Sequence, residues 1–145
     1  MKKIILILFL IIVISPTKGD AGYKEGMDAL NNSDYELALA ILLPLAREGI
    51  TNAQYNVGLL DKSKLFEEPT IKQNDEKAGQ WYLAAAKQGH VGAQNNIGSL
   101  YRRGKGVKQN YESAVYWYQV ALENSPLARN NLAFLYTKGL GLTKD

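Results

Sequence analysis

The sequence predicts an all-α fold, a solenoid of stacked antiparallel helix pairs with about three repeats and a terminal helix. Three observations predict it. A pattern of small, aliphatic and aromatic residues returns along the chain, the residues inside each copy fall at helical spacing, and the breaks between segments carry helix caps and stops. The best-kept copy reads Ala93-x-x-x-Ile97-Gly98-x-x-Tyr101-x-x-Gly104-x-Gly106-Val107-x-x-Asn110-x-x-x-Ala114-x-x-Trp117-x-x-x-Ala121. It returns as Ala128-x-x-x-Leu132-Ala133-x-x-Tyr136-x-x-Gly139-x-Gly141-Leu142-x-x-Asp145. An earlier copy runs Ala53-x-x-x-Val57-Gly58, then Asn74-x-x-Lys77-Ala78-x-x-Trp81-x-x-x-Ala85-Ala86-x-x-Gly89.

Taken in order, the first element is Met1-Lys2-Lys3, an apolar run from Ile4 to Ile14, and Ser15-Pro16-Thr17-Lys18-Gly19. This is the layout of a secretory signal peptide, and the run falls short of the roughly 20 residues that span a bilayer. Residues 1–19 are therefore expected to be an export signal cut before Asp20 or Gly22, with residues 20–145 forming the helical-repeat domain. Copy one, about 21–50, keeps Asp34-Tyr35-x-x-Ala38 and Leu45-Ala46-x-x-Gly49. Copy two, 51–90, has Asp61 where the later copies have tyrosine, and Leu65-Phe66-Glu67-Glu68-Pro69-Thr70-Ile71 in place of the glycine loop. Copy three is 91–125, and copy four, 126–145, stops at Asp145, the cap position of a second helix. Two readings of that end stay open: Ala128 to Lys138 is a terminal capping helix, or the chain is cut short. Likewise Phe134, Leu140 and Leu142 either fold onto the third repeat or form a docking edge for a partner or a second copy.

Local chemistry supports each boundary. Gly58, Gly98 and Ala133 fall mid-helix, where glycine costs about 1 kcal/mol relative to alanine; that cost is accepted where a neighbouring helix must approach closely. Ala38, Ala78 and Ala114 of the second helices answer them, three before Ile41, Trp81 and Trp117, which are expected to fill the flank of each hairpin. Asp34, Asn74, Asn110 and Ser125 occupy N-cap positions, with Pro126 in the first turn of the last helix. Gly49 and Gly89 sit where a left-handed helix stop is needed, and Asn124 takes that place in copy three.

Composition narrows the chemistry. The chain carries 17 Lys plus Arg against 14 Asp plus Glu. Cleavage after Gly19 removes Lys2, Lys3 and Lys18 and leaves the two signs equal, so nucleic-acid binding by bulk charge is not expected. There is no cysteine, hence no lipid anchor, thiolate site or disulfide, and no stable membrane attachment is expected after cleavage. His90 is the only histidine and is placed in a solvated loop, which leaves no multi-histidine metal site or triad. Asp75-Glu76 suits the first turn of a helix, and Glu67-Glu68 lies in the inserted loop. Gly104-x-Gly106 follows a helix and recurs as Gly139-x-Gly141, so it reads as a connector rather than a phosphate cradle. No catalytic, cofactor-binding or metal-ligating residue is assigned, and no cofactor is expected.

With these motifs in hand, the chain resembles the Sel-one-like repeat family, a relative of the tetratricopeptide repeat. Copies three and four carry the resemblance most closely and copy one resembles the degenerate repeat that often opens such arrays. The resemblance implies right-handed superhelical stacking and adaptor roles between proteins, without a single activity. In such a stack the first helices line the concave side. Helical spacing then puts Tyr55, Leu59 and Lys62 on the open face of copy two, Asn95, Ser99 and Arg102 on copy three, and Asn130, Phe134 and Thr137 on copy four, with Arg103 and Lys138 at one end. Side-chain amides can satisfy an extended backbone and arginine can grip a carboxylate. Tyr55, Leu59, Asn95, Ser99, Arg102, Arg103, Asn130 and Phe134 are thus the expected partner-binding residues, for a protein segment with an acidic element. Trp117 is expected in the core, flanked by the more exposed Tyr116 and Tyr118. The most concrete function is a periplasmic or secreted inhibitor or immunity protein, its partner a toxin or an envelope enzyme. Short exported repeat proteins of similar type serve that role against delivered toxins, phospholipases among them. Rival readings are a general envelope adaptor and a cell-wall or β-lactam hydrolase, the latter disfavoured because such relatives are cysteine-rich.

Overall fold

The computed structural model describes residues 18–62 and 74–142. The expected export signal before Lys18, the inserted loop with Glu67-Glu68, and Asp145 lie outside the described residues. Within them are seven helices: α1 (Lys18–Asn31), α2 (Tyr35–Arg47), α3 (Thr51–Lys62), α4 (Asp75–Lys87), α5 (Val91–Arg103), α6 (Tyr111–Val120) and α7 (Pro126–Thr137). Each packs on the next, and α7 also touches α5, so the chain is a run of helical hairpins stacked in sequence. Among the described residues no helix is long and apolar enough to cross a membrane.

The helix starts follow from side chains. Asp34, Asn74, Asn110 and Ser125 each accept the backbone N–H three residues on, at 3.1, 2.8, 2.8 and 3.1 Å, satisfying donors that the first helical turn leaves unpaired. His90 does the same for α5: its Nδ1 accepts from Ala93 N at 3.1 Å. It is a half-buried N-cap, stacked on Tyr55 with ring centroids 4.1 Å apart, rather than the solvated loop residue expected. Gly49 and Gly89 take the left-handed conformation as expected, with φ of 94° and 89°. Asn124 does not. Copy three leaves its second helix through successive turns over residues 121–124, and the one non-glycine residue with positive φ among those described is Ser33, which ends α1.

Packing inside each hairpin rests on a glycine beneath a large side chain. A Cβ at Gly58 would lie 2.7 Å from Tyr82 Cε1, and one at Gly98 would lie 2.8 Å from Tyr118 Cε1; at Gly26 it would meet Leu42 Cδ2 at 2.5 Å. Leu42, Tyr82 and Tyr118 occupy the same place in successive copies and all are 0% exposed. The ring in the hairpin is therefore tyrosine, four residues after Ala78 or Ala114, and not the tryptophan at three. Tyr118, expected near the surface, is core; Tyr116 is 56% exposed. Trp81 and Trp117, half-buried, pack against the first and second core clusters, each of which joins the second helix of one copy to the first helix of the next. Leu140 packs on the third core, whereas Phe134 and Leu142 stay exposed.

The glycine loops hold the stack from outside. Gly104 and Gly106 have φ of 64° and 67°, and Gly139 and Gly141 have 63° and 72°. The second glycine of each pair lies over the start of the previous second helix: a Cβ on Gly106 would collide with the Asp75 carbonyl, and one on Gly141 with the Tyr111 carbonyl. Asp75 and Tyr111 each open their helix, so both loops make one recurring contact. The motif is used in packing one repeat on the next.

Candidate functional site

The first helices, α3, α5 and α7, carry the expected binding residues, and the stack treats them unequally. Tyr55 is half-buried between His90 and Tyr82, the latter ring tilted at 6.0 Å. Asn95 Oδ1 accepts from Asn131 Nδ2 at 3.0 Å. These two contacts run from one repeat to the next, so Tyr55 and Asn95 are engaged within the stack instead of lying open as the spacing suggested. Asn56 makes the matching link to the Tyr23 hydroxyl at 3.0 Å. Asn130, the counterpart of Asn95 in the last copy, is exposed. Leu59 and Phe134 are 38% and 44% exposed, Arg103 is exposed, and Ser99 and Arg102 are half-buried between them.

Arg102 sits at the centre of this face. Its guanidinium lies over the Phe134 ring, 5.5 Å from the centroid, an arrangement that favours a cation near an aromatic face. Its Nε is buried without a hydrogen-bond partner among the described residues. Burial pushes the Tyr118 phenol up, and the neighbouring Arg102 and Ser99 partly offset that rise. Beside it, burial and then the like charges of Arg103 and Lys105 lower the Lys62 ammonium, with Asp75 opposing. Lys62 Nζ lies 6.0 Å from the Tyr82 ring centroid. Lys62 thus feels the charges of Arg103 and Lys105 as well as that of Asp75, and Arg102 adds a cation against the exposed Phe134 ring. Such a surface attracts carboxylates and offers apolar contact at the same place.

The other titratable groups with displaced equilibria are structural. Burial raises Tyr82, whose hydroxyl is enclosed in the core, and burial raises Asp61, against an opposing pull from Lys77. Burial lowers His90 below its ordinary 6.5. A lowered folded value means the unfolded chain binds the proton more tightly, so the His90 contribution is full above pH 6.5 and is lost as pH falls through the folded value. Stability should therefore fall on going from pH 7.5 to 5.5, and His90→Asn, which keeps a cap, should flatten that slope in thermal melts. Among the described residues no group of three or more His, Cys, Asp or Glu could hold a metal ion.

Two buried glutamines bind the repeats together. Gln54 and Gln94 donate from Nε2 to the Ala46 and Ala86 carbonyls, both at 3.2 Å. Gln54 Oε1 accepts from Gln88 at 2.7 Å, but Gln94 Oε1 is buried without a partner among the described residues. Counted back from the next helix, the counterpart of Gln88 is Glu123, whose carboxylate has no N–H to donate. None of these ladder residues was singled out from sequence, although their recurrence at matching places was a usable signal.

Residues 51–90, 91–125 and 126–145 match the Sel1 repeat. The chain is 34% identical over 125 residues to protein sel-1 homolog 2 of Mus musculus, covering 85% of this chain and 17% of that protein. It is 33% identical over 102 residues to the chitin synthase regulator SKT5 of Saccharomyces cerevisiae, covering 70% and 14%. It therefore spans less than a fifth of the length of either relative. Among solved structures, a Sel1 repeat protein from Oxalobacter formigenes superposes with a TM-score of 0.74 at 32% identity, covering 85% of this chain and 49% of that one. A protective antigen present in uropathogenic Escherichia coli strains superposes with a TM-score of 0.78 at 29% identity, covering 86% and 27%.

Proposed function

Because the chain belongs to the Sel1 repeat family, whose members generally act as scaffolds for protein–protein interaction, we propose that it binds an acidic protein segment on the open face of α3, α5 and α7. One observation carries this reading: the Arg102 guanidinium lies over the exposed Phe134 ring, with exposed Arg103 next to it at the end of α5. A segment with one or two carboxylates and an apolar residue would meet both demands, and desolvated arginine pairs contribute more than rim charges. Tyr55 and Asn95 support this face from inside the stack, and Ser99, Arg102, Arg103, Asn130 and Phe134 would touch the segment.

The most concrete form of this proposal is an exported inhibitor or immunity protein that occludes a delivered toxin or an envelope enzyme. The basic, then apolar, start of the sequence supports export. A general envelope adaptor uses the same surface with several weaker partners. The test is capture by the immobilised protein from envelope and culture extracts, followed by assay of the captured protein. A single tightly held lytic enzyme, silenced on binding and released by Arg102→Ala/Phe134→Ala at unchanged helicity, supports the inhibitor. An enzyme that stays active when bound, or binding indifferent to that variant, contradicts it.

A further inference from the structure

Enclosing a polar atom without a partner is costly, so such atoms are few and each calls for a physical reason. Two of them meet beside α5: the Tyr118 hydroxyl and Arg102 Nε, both enclosed and without a hydrogen-bond partner among the described residues. The sequence brings them together. Tyr118 is fully buried and its ring crosses α5 at Gly98, where an added Cβ would lie 3.3 Å from the ring carbon that bears the hydroxyl. Ser99 and Arg102, half-buried on the same helix, act most directly on that hydroxyl. The Arg102 guanidinium reaches Phe134 of α7, so α5, α6 and α7 all border the place.

This neighbourhood is rich in donors and poor in carboxylates. The charged groups that act most strongly on Tyr118 are Arg102 and Arg103, both cations. Residues 91–142 hold two carboxylates, Glu112 and Glu123, and both are exposed. Tyr82, the same ring one repeat earlier, is placed otherwise. Its hydroxyl has the Asn96 side chain beside it, and the carboxylates of Asp61 and Asp75 act on it. At Tyr118, a guanidinium N–H and a phenolic O–H side by side suit the two oxygens of a carboxylate, and Ser99 can add a third donor.

We propose that Arg102, Ser99 and Tyr118 form the seat for one carboxylate of the bound protein segment, with Arg102 Nε–H and the Tyr118 hydroxyl as its donors. The seat rests on the binding face proposed for α3, α5 and α7; it adds Tyr118 to that face and names the group of the partner that is held. In the unbound chain both donors are covered, and the Arg102 head lies over the Phe134 ring, 5.5 Å from its centroid. To reach them, the carboxylate draws the guanidinium off the ring, which leaves exposed Phe134 for an apolar residue of the same segment.

The experiment is titration of the purified protein with sodium acetate, exchanged for sodium chloride at constant ionic strength and followed by the Arg102 Nε–H resonance. The expected result is a saturable shift. Tyr118→Phe keeps the ring and removes the donor, so it should weaken acetate about tenfold. Its thermal midpoint should hold or rise, because an unpartnered buried hydroxyl has gone. Tyr82→Phe should bind acetate as the wild type does. Phe134→Ala, which removes the competing ring, should bind it at least as tightly. A shift that never saturates, or equal affinity in the wild type and Tyr118→Phe, overturns the seat and leaves the binding face standing. A lowered midpoint in Tyr118→Phe also overturns it, since the hydroxyl would then be paired in the unbound chain. So do equal losses in Tyr118→Phe and Tyr82→Phe, or weaker binding in Phe134→Ala. Acetate held as expected by a chain that captures no protein would strike the binding face and leave the seat.

Discussion

Gly98→Leu will lower stability by about 3 kcal/mol, while Ala133→Leu, at the same place in the next copy, will change it by no more than about 0.5 kcal/mol. The positions differ only in what lies above them. At Gly98 a bare Cβ already comes within 2.8 Å of the fully buried Tyr118 ring. At Ala133 the surface is exposed, with no second helix above it among the described residues. Leucine is a better helix former than glycine, so helix propensity alone would make Gly98→Leu stabilising. The sign of the change separates the two accounts. Urea denaturation midpoints with unchanged slopes would give it directly. Equal effects at the two sites would mean that the hairpin does not depend on close approach.

The second large effect is expected at the loop. Gly106→Ala should cost about 3 kcal/mol, and Gly104→Ala about 1 kcal/mol, although both residues have nearly the same left-handed backbone. The conformational cost is common to both, and the contact is not. A methyl on Gly104 meets Gln109 Cβ at 3.0 Å, a tight contact short of collision, whereas on Gly106 it strikes the carbonyl that opens α4. The first contact is relieved by a shift of a few tenths of an ångström, whereas α4 or the loop must move bodily to admit the second. Thermal melts of the two variants at one pH make the comparison. If Gly104→Ala proved as costly as Gly106→Ala, the loop would be serving helix termination alone, without clamping the preceding repeat.

The architecture was legible because repeats state the same instruction several times. Asp34, Asn74, Asn110 and Ser125 cap helices where their spacing says they should, and the mid-helix glycines mark close approach as expected. Which ring enters the hairpin was not legible. Trp81-Tyr82 recurs as Trp117-Tyr118, so both rings have the same period, and adjacent helical residues point about 100° apart. Only the stacking of one hairpin on another decides that tyrosine turns inward and tryptophan turns to the previous repeat. His90 could have been found: it holds the place that Ser125 holds in the next copy, and imidazole nitrogen can accept a hydrogen bond as a hydroxyl does. The binding face was half legible. Helical spacing separated the open stripe of each first helix, but Tyr55 and Asn95 are closed off by residues 35 and 36 positions away. Contacts at that range follow from the fit between repeats, which spacing within one helix does not contain.

The central claim is that the cation cluster and its apolar neighbours form the binding face. It is tested most directly by parallel capture on immobilised wild type and on Arg102→Glu/Arg103→Glu, matched for helicity. The account predicts a partner retained by the wild type and lost from the variant, with an acidic segment of that partner protected from hydrogen exchange in the complex. The same partner retained equally by both would contradict it.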